Sequence, residues 1–413
     1  MIFDALRPQP PDPLLALIRQ FDSDGRPGKM DLGVGTYRDE QGRTPVMHAV
    51  KSAERLLWER QETKSYLAPE GDLQFVELLR PIAFGAGETF SRRLVGVQTP
   101  GGSGALRLGA ELVATARPNA TVWLGQPTWP NHRPVLEAAR LRIKEYRYFD
   151  PATQSLCFEN MLKALSQAPA GDVVLLQGCC HNPAGADLNQ AQWQEVAAVL
   201  ARRGLIPFLD VAYQGLGRSL DRDAYGVRHV LASVEEALVA YSCDKNFGLY
   251  RERTGALFVL GQNDVEAAAA YDNMAMLARV NWSMPPDHGA AVVRCVLESG
   301  ELRQVWQSEL LGMCRRINSV RDALASLDPR LAFLSRQHGM FAQLVIRPDA
   351  VASLRRDYGV FISGSGRVNI AGLRMSDAER FVDALRAVGA LAGLAPVREG
   401  AEKVQGAQDF LTV

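Results

Sequence analysis

Lys245 stands three residues after Ser242 and eight before Arg253, with Gly248 between. An amine flanked by a hydroxyl and a guanidinium suits a lysine that forms a Schiff base with a phosphorylated carbonyl compound. The hydroxyl and the Arg fork would hold the phosphate. Taken alone, a lysine between a strand and a glycine is most often a solvated surface residue. Two upstream features fit the same chemistry. The turn Gly101-Gly102-Ser103-Gly104 opens a helix, so its backbone N–H groups and the helix dipole can take a phosphate. Such turns are also commonly only turns. Asp210 ends an apolar run at 205–209, with Tyr213 just beyond. A carboxylate at the C-terminal end of a parallel strand lies where α/β proteins place their sites. There it could hold a pyridinium proton and keep that ring an electron sink. A helix N-cap suits Asp210 equally when it is viewed alone.

These residues need elements to position them. From about 46 to 300 the pattern alternates helix and strand. Apolar runs at 121–124, 142–146, 172–176, 205–209, 237–242 and 256–260 read as buried strands. Stretches at 46–62, 72–84, 105–116, 130–139, 190–203 and 264–279 read as helices. Strands separated by helices imply a mostly parallel sheet covered on both faces. A long helix is expected over 301–327, where Leu302, Val305, Trp306, Leu310, Met313, Ile317, Val320 and Leu324 keep a three-to-four spacing. An α+β pattern follows, with strands at 341–346, 360–363 and 368–371 and helices at 350–358 and 376–391. Residues 1–13, with Pro8, Pro10, Pro11 and Pro13, read as an extended arm that lies on something, such as another subunit. Residues 393–413 read as an irregular tail.

The chain has 413 residues, 47% of them apolar and 22% charged, which excludes disorder or a coiled coil as the main state. Lys plus Arg and Asp plus Glu both number 46, so net charge gives no sign of a nucleic-acid or anionic-membrane partner. No run approaches the ~18 apolar residues of a membrane span. The start of the chain lacks a secretory pattern. The six cysteines (Cys157, Cys179, Cys180, Cys243, Cys295 and Cys314) read as free thiols in a reducing compartment, and a cytoplasmic location is expected. The six histidines show no metal-ligand spacing, so no metal is expected.

With these segments taken in order, the chain resembles the aspartate/aromatic amino acid aminotransferases, class I pyridoxal-phosphate (PLP) enzymes. The likeness runs from about Asp12 to Leu391. It is carried by Leu32-Gly33-Val34-Gly35, Lys64-Ser65-Tyr66-Leu67, Thr99-Pro100-Gly101-Gly102-Ser103-Gly104 and Pro127-Thr128-Trp129-Pro130-Asn131-His132. Further matches are Cys179-Cys180-His181-Asn182-Pro183, Asp210-Val211-Ala212-Tyr213, Lys245-Asn246-Phe247-Gly248, Asn281-Trp282-Ser283-Met284-Pro285 and Ser365-Gly366-Arg367-Val368-Asn369. The resemblance implies fold-type I: a large PLP-binding domain at 46–311 with a mostly parallel seven-stranded sheet, and a smaller α+β domain from 14–45 plus 312–392. It implies Lys245 as the Schiff-base lysine and proton shuttle, Asp210 on the pyridine nitrogen, and Tyr213 with Asn182 on the ring oxygen. Trp129 would stack on the ring. Gly102, Ser103, Ser242, Arg253 and a neighbouring subunit's Tyr66 would bind the phosphate. Arg367 would clamp the substrate α-carboxylate, helped by Asn182, Trp129 and the backbone at Gly35. A neighbour's Arg279 would face the distal carboxylate of a dicarboxylic substrate. Shared sites imply a homodimer, and the resemblance implies transfer of the amino group of an aspartate- or aromatic-type L-amino acid to a 2-oxo acid such as 2-oxoglutarate, by a ping-pong mechanism. His132 and His181 are expected to support the site rather than react.

The chain departs from the family pattern in places. Asp244 precedes the lysine where relatives carry a small hydroxyl residue. Turned inward, its carboxylate would favour the ammonium form of Lys245. Gln177, Ala184, Met284 and Ser103 replace a common His, Thr, Asn and Thr. Fewer polar groups near the substrate side chain would make room for apolar or aromatic substrates. These departures keep open a second reading, a PLP enzyme of the same fold that catalyses elimination, replacement or C–C bond formation in a specialised biosynthetic pathway.

Overall fold

The structure is a computed structural model that describes residues 2–8 and 12–394. A seven-stranded sheet forms its centre. In chain order the strands are β1 (Leu94–Pro100), β2 (Thr121–Gln126), β3 (Arg142–Arg147), β4 (Val173–Gln177), β5 (Ile206–Val211), β6 (Ala237–Ser242) and β7 (Thr254–Leu260). Their order across the sheet is β1-β7-β6-β5-β4-β2-β3. All neighbours are parallel except β7, which runs antiparallel to both β6 and β1. The inner strands are buried along nearly their whole length, which explains their continuous apolar runs.

The expected mostly parallel sheet is present, with differences in detail. β1 was not among the expected strands, because Gly96 and the buried polar pair Gln98-Thr99 interrupt its apolar pattern. Helices Phe158–Ser166, Leu220–Ser233 and Asp287–Glu298 were also not expected. The helix expected to start at 105 starts at Gly101, so the glycine-rich turn is its first turn; this helix, Gly101–Ala116, is α1. Helix α2 spans Asp264–Asn281. At the far end a 3₁₀ turn, Met375–Asp377, leads into a helix of Ala378–Ala387, shorter than 376–391.

Helix α3 (Gly300–Leu327) joins two cores. Its Trp306, Leu310, Met313 and Ile317 pack with the large sheet, while Val320 and Leu324 pack with a second cluster that holds Met30, Leu32, Phe333, Leu354, Ile362, Val368 and Phe381. Two small ladders lie in that second region: Met30–Asp31 parallel to Val360–Phe361, and Phe341–Gln343 antiparallel to Arg367–Asn369. The N-terminal arm starts as a 3₁₀ turn, Ile2–Ala5, with Ile2, Phe3 and Leu6 exposed; Pro10 and Pro11 lie outside the described residues. A helix then begins at Pro13, capped by the Asp12 carboxylate. The tail expected at 393–413 lies outside the described residues from 395 onward.

Candidate active site

The C-terminal ends of β4, β5 and β6 and the N-terminus of α1 surround a cleft. Gly102, Ser103, Trp129, Gln177, Asn182, Asp210, Tyr213, Ser242, Asp244 and Lys245 line it. Residues spread over more than 140 positions meet there because parallel strands share one end.

Lys245 sits three residues past the end of β6. Its loop is fixed from behind: Trp306 of α3 stacks on Phe247 at 4.4 Å, and its indole N–H donates to the Asn246 carbonyl at 2.8 Å. The Lys245 amine makes no hydrogen bond or ion pair with any described residue; it lies 5.2 Å from the centre of the Tyr213 ring. Burial lowers its pKa, and the nearby carboxylates of Asp244 and Asp210 oppose that shift. The result is an amine less strongly protonated than a surface lysine and facing an open space.

Asp210, buried at the end of β5, is held by a hydrogen-bonded chain. Its Oδ2 lies 3.1 Å from Nε2 of the buried His132, whose Nδ1 lies 2.7 Å from the Thr128 hydroxyl. A carboxylate only accepts, so Nε2 carries a proton, and in the neutral ring Nδ1 then accepts from Thr128. The Gln177 amide donates to Thr128 at 3.4 Å and to the Asn182 carbonyl at 2.9 Å. His132 thus supports the site directly, as expected. Thr128 was missed, although its position four residues before His132 on the turn into a short helix was legible. His181 stacks on Tyr148 at 4.3 Å, away from the cleft lining, and burial pushes its pKa down to about 3.

Tyr213 accepts from the Asn182 amide at 3.2 Å, and burial raises its phenol pKa above the ordinary value. The loop after Tyr213 is anchored by Asp223, whose carboxylate accepts from the backbone N–H groups of Gly215, Gly217 and Arg218, each at 2.9 Å. Arg367 reaches the cleft from the second core. It donates to Asn182 Oδ1 at 3.3 Å and to the Gly33 carbonyl at 2.9 Å, and its guanidinium lies 4.5 Å from the centre of the Phe341 ring. Burial lowers its pKa. Asn369 holds the adjacent turn by donating to the carbonyls of Val34 (2.6 Å) and Thr36 (2.8 Å), which fixes Gly35 between them.

At the other end of the cleft, Gly101 has φ +70°, and a Cβ on Gly102 would stand 3.0 Å from the Ser242 Cβ. Glycines are required for β6 to approach the α1 N-terminus this closely. Arg253 also stands there, itself left-handed at φ +53° and ion-paired with Asp244. Asp244 therefore points inward, as one branch of the expectation had it, but it grips Arg253 as well as standing near Lys245. Two expected site residues are not in the cleft of this chain. Tyr66 is 92% exposed, and Arg279, near the end of α2, is exposed and donates to the Ser283 hydroxyl.

The donor set suits a phosphorylated, ring-bearing aldehyde. Backbone N–H groups at Gly102 and Ser103, the Ser242 hydroxyl and Arg253 offer an anion cradle that any Cβ at Gly102 would crowd. An unpaired amine and a carboxylate braced by His132 line the same cleft. Fold and site together define a pyridoxal-phosphate-dependent transferase of fold-type I.

The comparisons narrow that class. The family "aminotransferase class I and II" matches residues 27–385. A tyrosine aminotransferase of Rhizobium meliloti (strain 1021) is 51% identical over 91% of this chain and 97% of its own. An aspartate aminotransferase of Salmonella typhi is 40% identical over 94% and 100%. The solved aromatic-amino-acid aminotransferase of Burkholderia pseudomallei, covalently bound to pyridoxal phosphate, superposes with a TM-score of 0.90 at 36% identity over 94% and 99%. The chain belongs to the class I and II aminotransferases, and is an aminotransferase of the aspartate/aromatic type that works with pyridoxal phosphate. Amino-group transfer is thereby favoured over elimination, replacement or C–C bond formation. Among the described residues no helix is long and apolar enough to cross a membrane, and all six cysteines are free.

Proposed function

We propose that the chain moves the amino group of aromatic and dicarboxylic L-amino acids to a 2-oxo acid such as 2-oxoglutarate, with Lys245, Asp210 and Tyr213 as its catalytic residues. The observation that carries this reading is the unpaired Lys245 amine, its pKa lowered by burial, in one cleft with an anion cradle and a braced carboxylate. Pyridoxal phosphate, when bound, supplies a carbonyl for Lys245 and a ring that withdraws electrons from the substrate Cα. Lys245 moves the proton at that carbon. Asp210, fixed by His132, keeps a proton on the ring nitrogen. Tyr213 and Asn182 hydrogen-bond the ring oxygen, and Trp129 stacks on the ring. Gly102, Ser103, Ser242 and Arg253 hold the phosphate. Arg367, with Asn182, Trp129 and the Gly35 backbone, takes the substrate α-carboxylate.

Tyr66 and Arg279 act in the site of a second copy of this chain, so the working unit is a homodimer. Their exposure supports this, as does the exposure of the apolar side chains Ile2, Phe3, Leu6, Trp58, Met276 and Val280. Residues 2–8 lie as an arm on that partner, 46–311 form the large domain, and 14–45 plus 312–392 form a small domain that carries Arg367 to the cleft. Free cysteines fit a cytoplasmic enzyme.

The test is a single-turnover panel on purified protein. Tyrosine, phenylalanine, aspartate and glutamate should each convert the cofactor's absorbance to that of its amino form, and 2-oxoglutarate should restore it. If 2-oxoglutarate leaves the amino form unchanged, the acceptor assignment is wrong.

A further inference from the structure

The carboxylate of Asp244 lies among the residues to which the proposed function gives the cofactor phosphate. The residue is 2% exposed and lines the cleft with Ser242, Gly102, Ser103 and Lys245. Its Oδ2 is ion-paired with Arg253, and its Oδ1 accepts from the Thr254 backbone N–H at 3.1 Å. Its own N–H donates to the Ser242 hydroxyl at 3.3 Å. A Cβ placed on Gly101, the first residue of α1, would meet Arg253 Nη2 at 2.7 Å and Asp244 Oδ2 at 3.0 Å. The carboxylate and the guanidinium therefore both abut the helix N-terminus, where a negative charge is favoured. Arg253 is held in its left-handed conformation with a further bond from Nη1 to the Tyr250 carbonyl at 3.2 Å.

We propose that Asp244 is an internal competitor for the cofactor phosphate. It holds Arg253 and the Thr254 N–H in place while the cradle is empty, and it weakens phosphate binding because two anions must then share one guanidinium and one helix terminus. This rests on the cofactor reading above and adds to it a residue that sets how firmly the phosphorylated cofactor is retained. The cradle keeps its shape without a ligand, and the cofactor exchanges more readily than it would from a cradle without a second anion.

The experiment uses the full-length enzyme, freed of cofactor by dialysis with an amino donor and inorganic phosphate. Pyridoxal 5′-phosphate and unphosphorylated pyridoxal are then titrated into wild type, Asp244→Ser and Asp244→Asn. Removing a like charge from beside the phosphate should tighten pyridoxal 5′-phosphate roughly 10- to 100-fold in both variants and shift pyridoxal by less than about 3-fold. The cofactor-free Asp244→Ser protein should melt lower than wild type, because Arg253 and Thr254 lose a partner. Its melting-point gain on adding pyridoxal 5′-phosphate should be larger. Should Asp244→Ser not fold, Asp244→Asn, which keeps an acceptor for Thr254, decides alone. Unchanged or weaker binding of pyridoxal 5′-phosphate overturns the proposal. So does an equal gain for both compounds, which would place the effect at the Lys245 amine. If wild type takes up neither compound at Lys245, it is the cofactor reading that fails, and this proposal with it.

Discussion

At the floor of the cleft, Lys245, Asp210, His132, Thr128, Tyr213 and Asn182 come from one chain, mostly buried and joined by hydrogen bonds or fixed loops. Tyr66 and Arg279, expected at the same site, are exposed and lie off the cleft lining. The floor is thus built from one chain, whereas these two residues stand apart from it. On the proposed function, the floor serves every substrate, whereas a second copy's arginine serves only substrates with a second carboxylate.

Changes at the floor should cost most and discriminate least. Lys245→Ala should lower turnover with every donor by at least ~10⁴-fold, the upper end of what a positioned acid–base group contributes. The fold should survive, since the amine has no hydrogen-bond partner to lose. Steady-state rates with tyrosine and aspartate, beside a melting curve, measure this; near-wild-type turnover would refute the assignment of the lysine.

Arg367→Ala should lower kcat/KM for all donors. Truncating one partner of a buried, charge-assisted pair typically costs ~2–5 kcal/mol, or roughly 30- to several-thousand-fold. Arg279→Ala should impose a comparable loss on aspartate, glutamate and 2-oxoglutarate and spare phenylalanine and tyrosine, whose rings need no counter-charge. Single-turnover conversion by each donor separates the two arginines. Equal losses for aspartate and phenylalanine in Arg279→Ala would make that arginine structural.

The smallest effect is one of stability. His181 and His338 are both pushed down to about 3, chiefly by burial. At His338 the Arg218 guanidinium donates to Nε2 at 2.9 Å, so that nitrogen accepts and carries no proton. Unfolded histidine takes a proton near pH 6.5. As pH falls from about 6.5 toward 3 the unfolded chain therefore binds protons that the folded chain refuses. Stability should drop by up to roughly 1.4 kcal/mol per pH unit for each histidine. Urea unfolding at pH 7 and pH 5 reads this, and His338→Gln, which keeps an acceptor for Arg218, should reduce the difference. An unchanged difference would show that His338 is protonated in the folded state.

Much of the sheet was legible from the sequence because buried parallel strands are continuous apolar runs; Asp210, Ser242 and Lys245 stood out at strand ends, whereas Trp129, Gln177, Asn182 and Asp244 were legible through the family resemblance. What escaped had physical reasons. β1 hides its pattern because Gln98 is buried by bonding to the Pro286 carbonyl and to the Asp72 N–H, so a polar residue sits where an apolar one is expected. Helix Leu220–Ser233 opens with Asp221, Arg222 and Asp223 and contains Gly226, a poor helix former in isolation. That glycine lets Trp193 of helix Gln190–Arg203 pack closely; a Cβ there would fall 2.2 Å from its ring. Asp244 and Arg253 were each singled out, but their pairing was not, because it depends on β7 turning back antiparallel beside β6.

The contrast between floor and mouth is tested most directly by mixing two proteins that are each impaired with aspartate and 2-oxoglutarate. Lys245→Ala and Arg279→Ala subunits, unfolded and refolded together, form hybrids alongside the parental dimers. If Lys245 works in its own chain and Arg279 in the partner's site, one of the two hybrid sites is intact, and activity with aspartate and 2-oxoglutarate should return. Hybrids proven to form, yet with no more activity than the parents, would show that each site is built within a single chain.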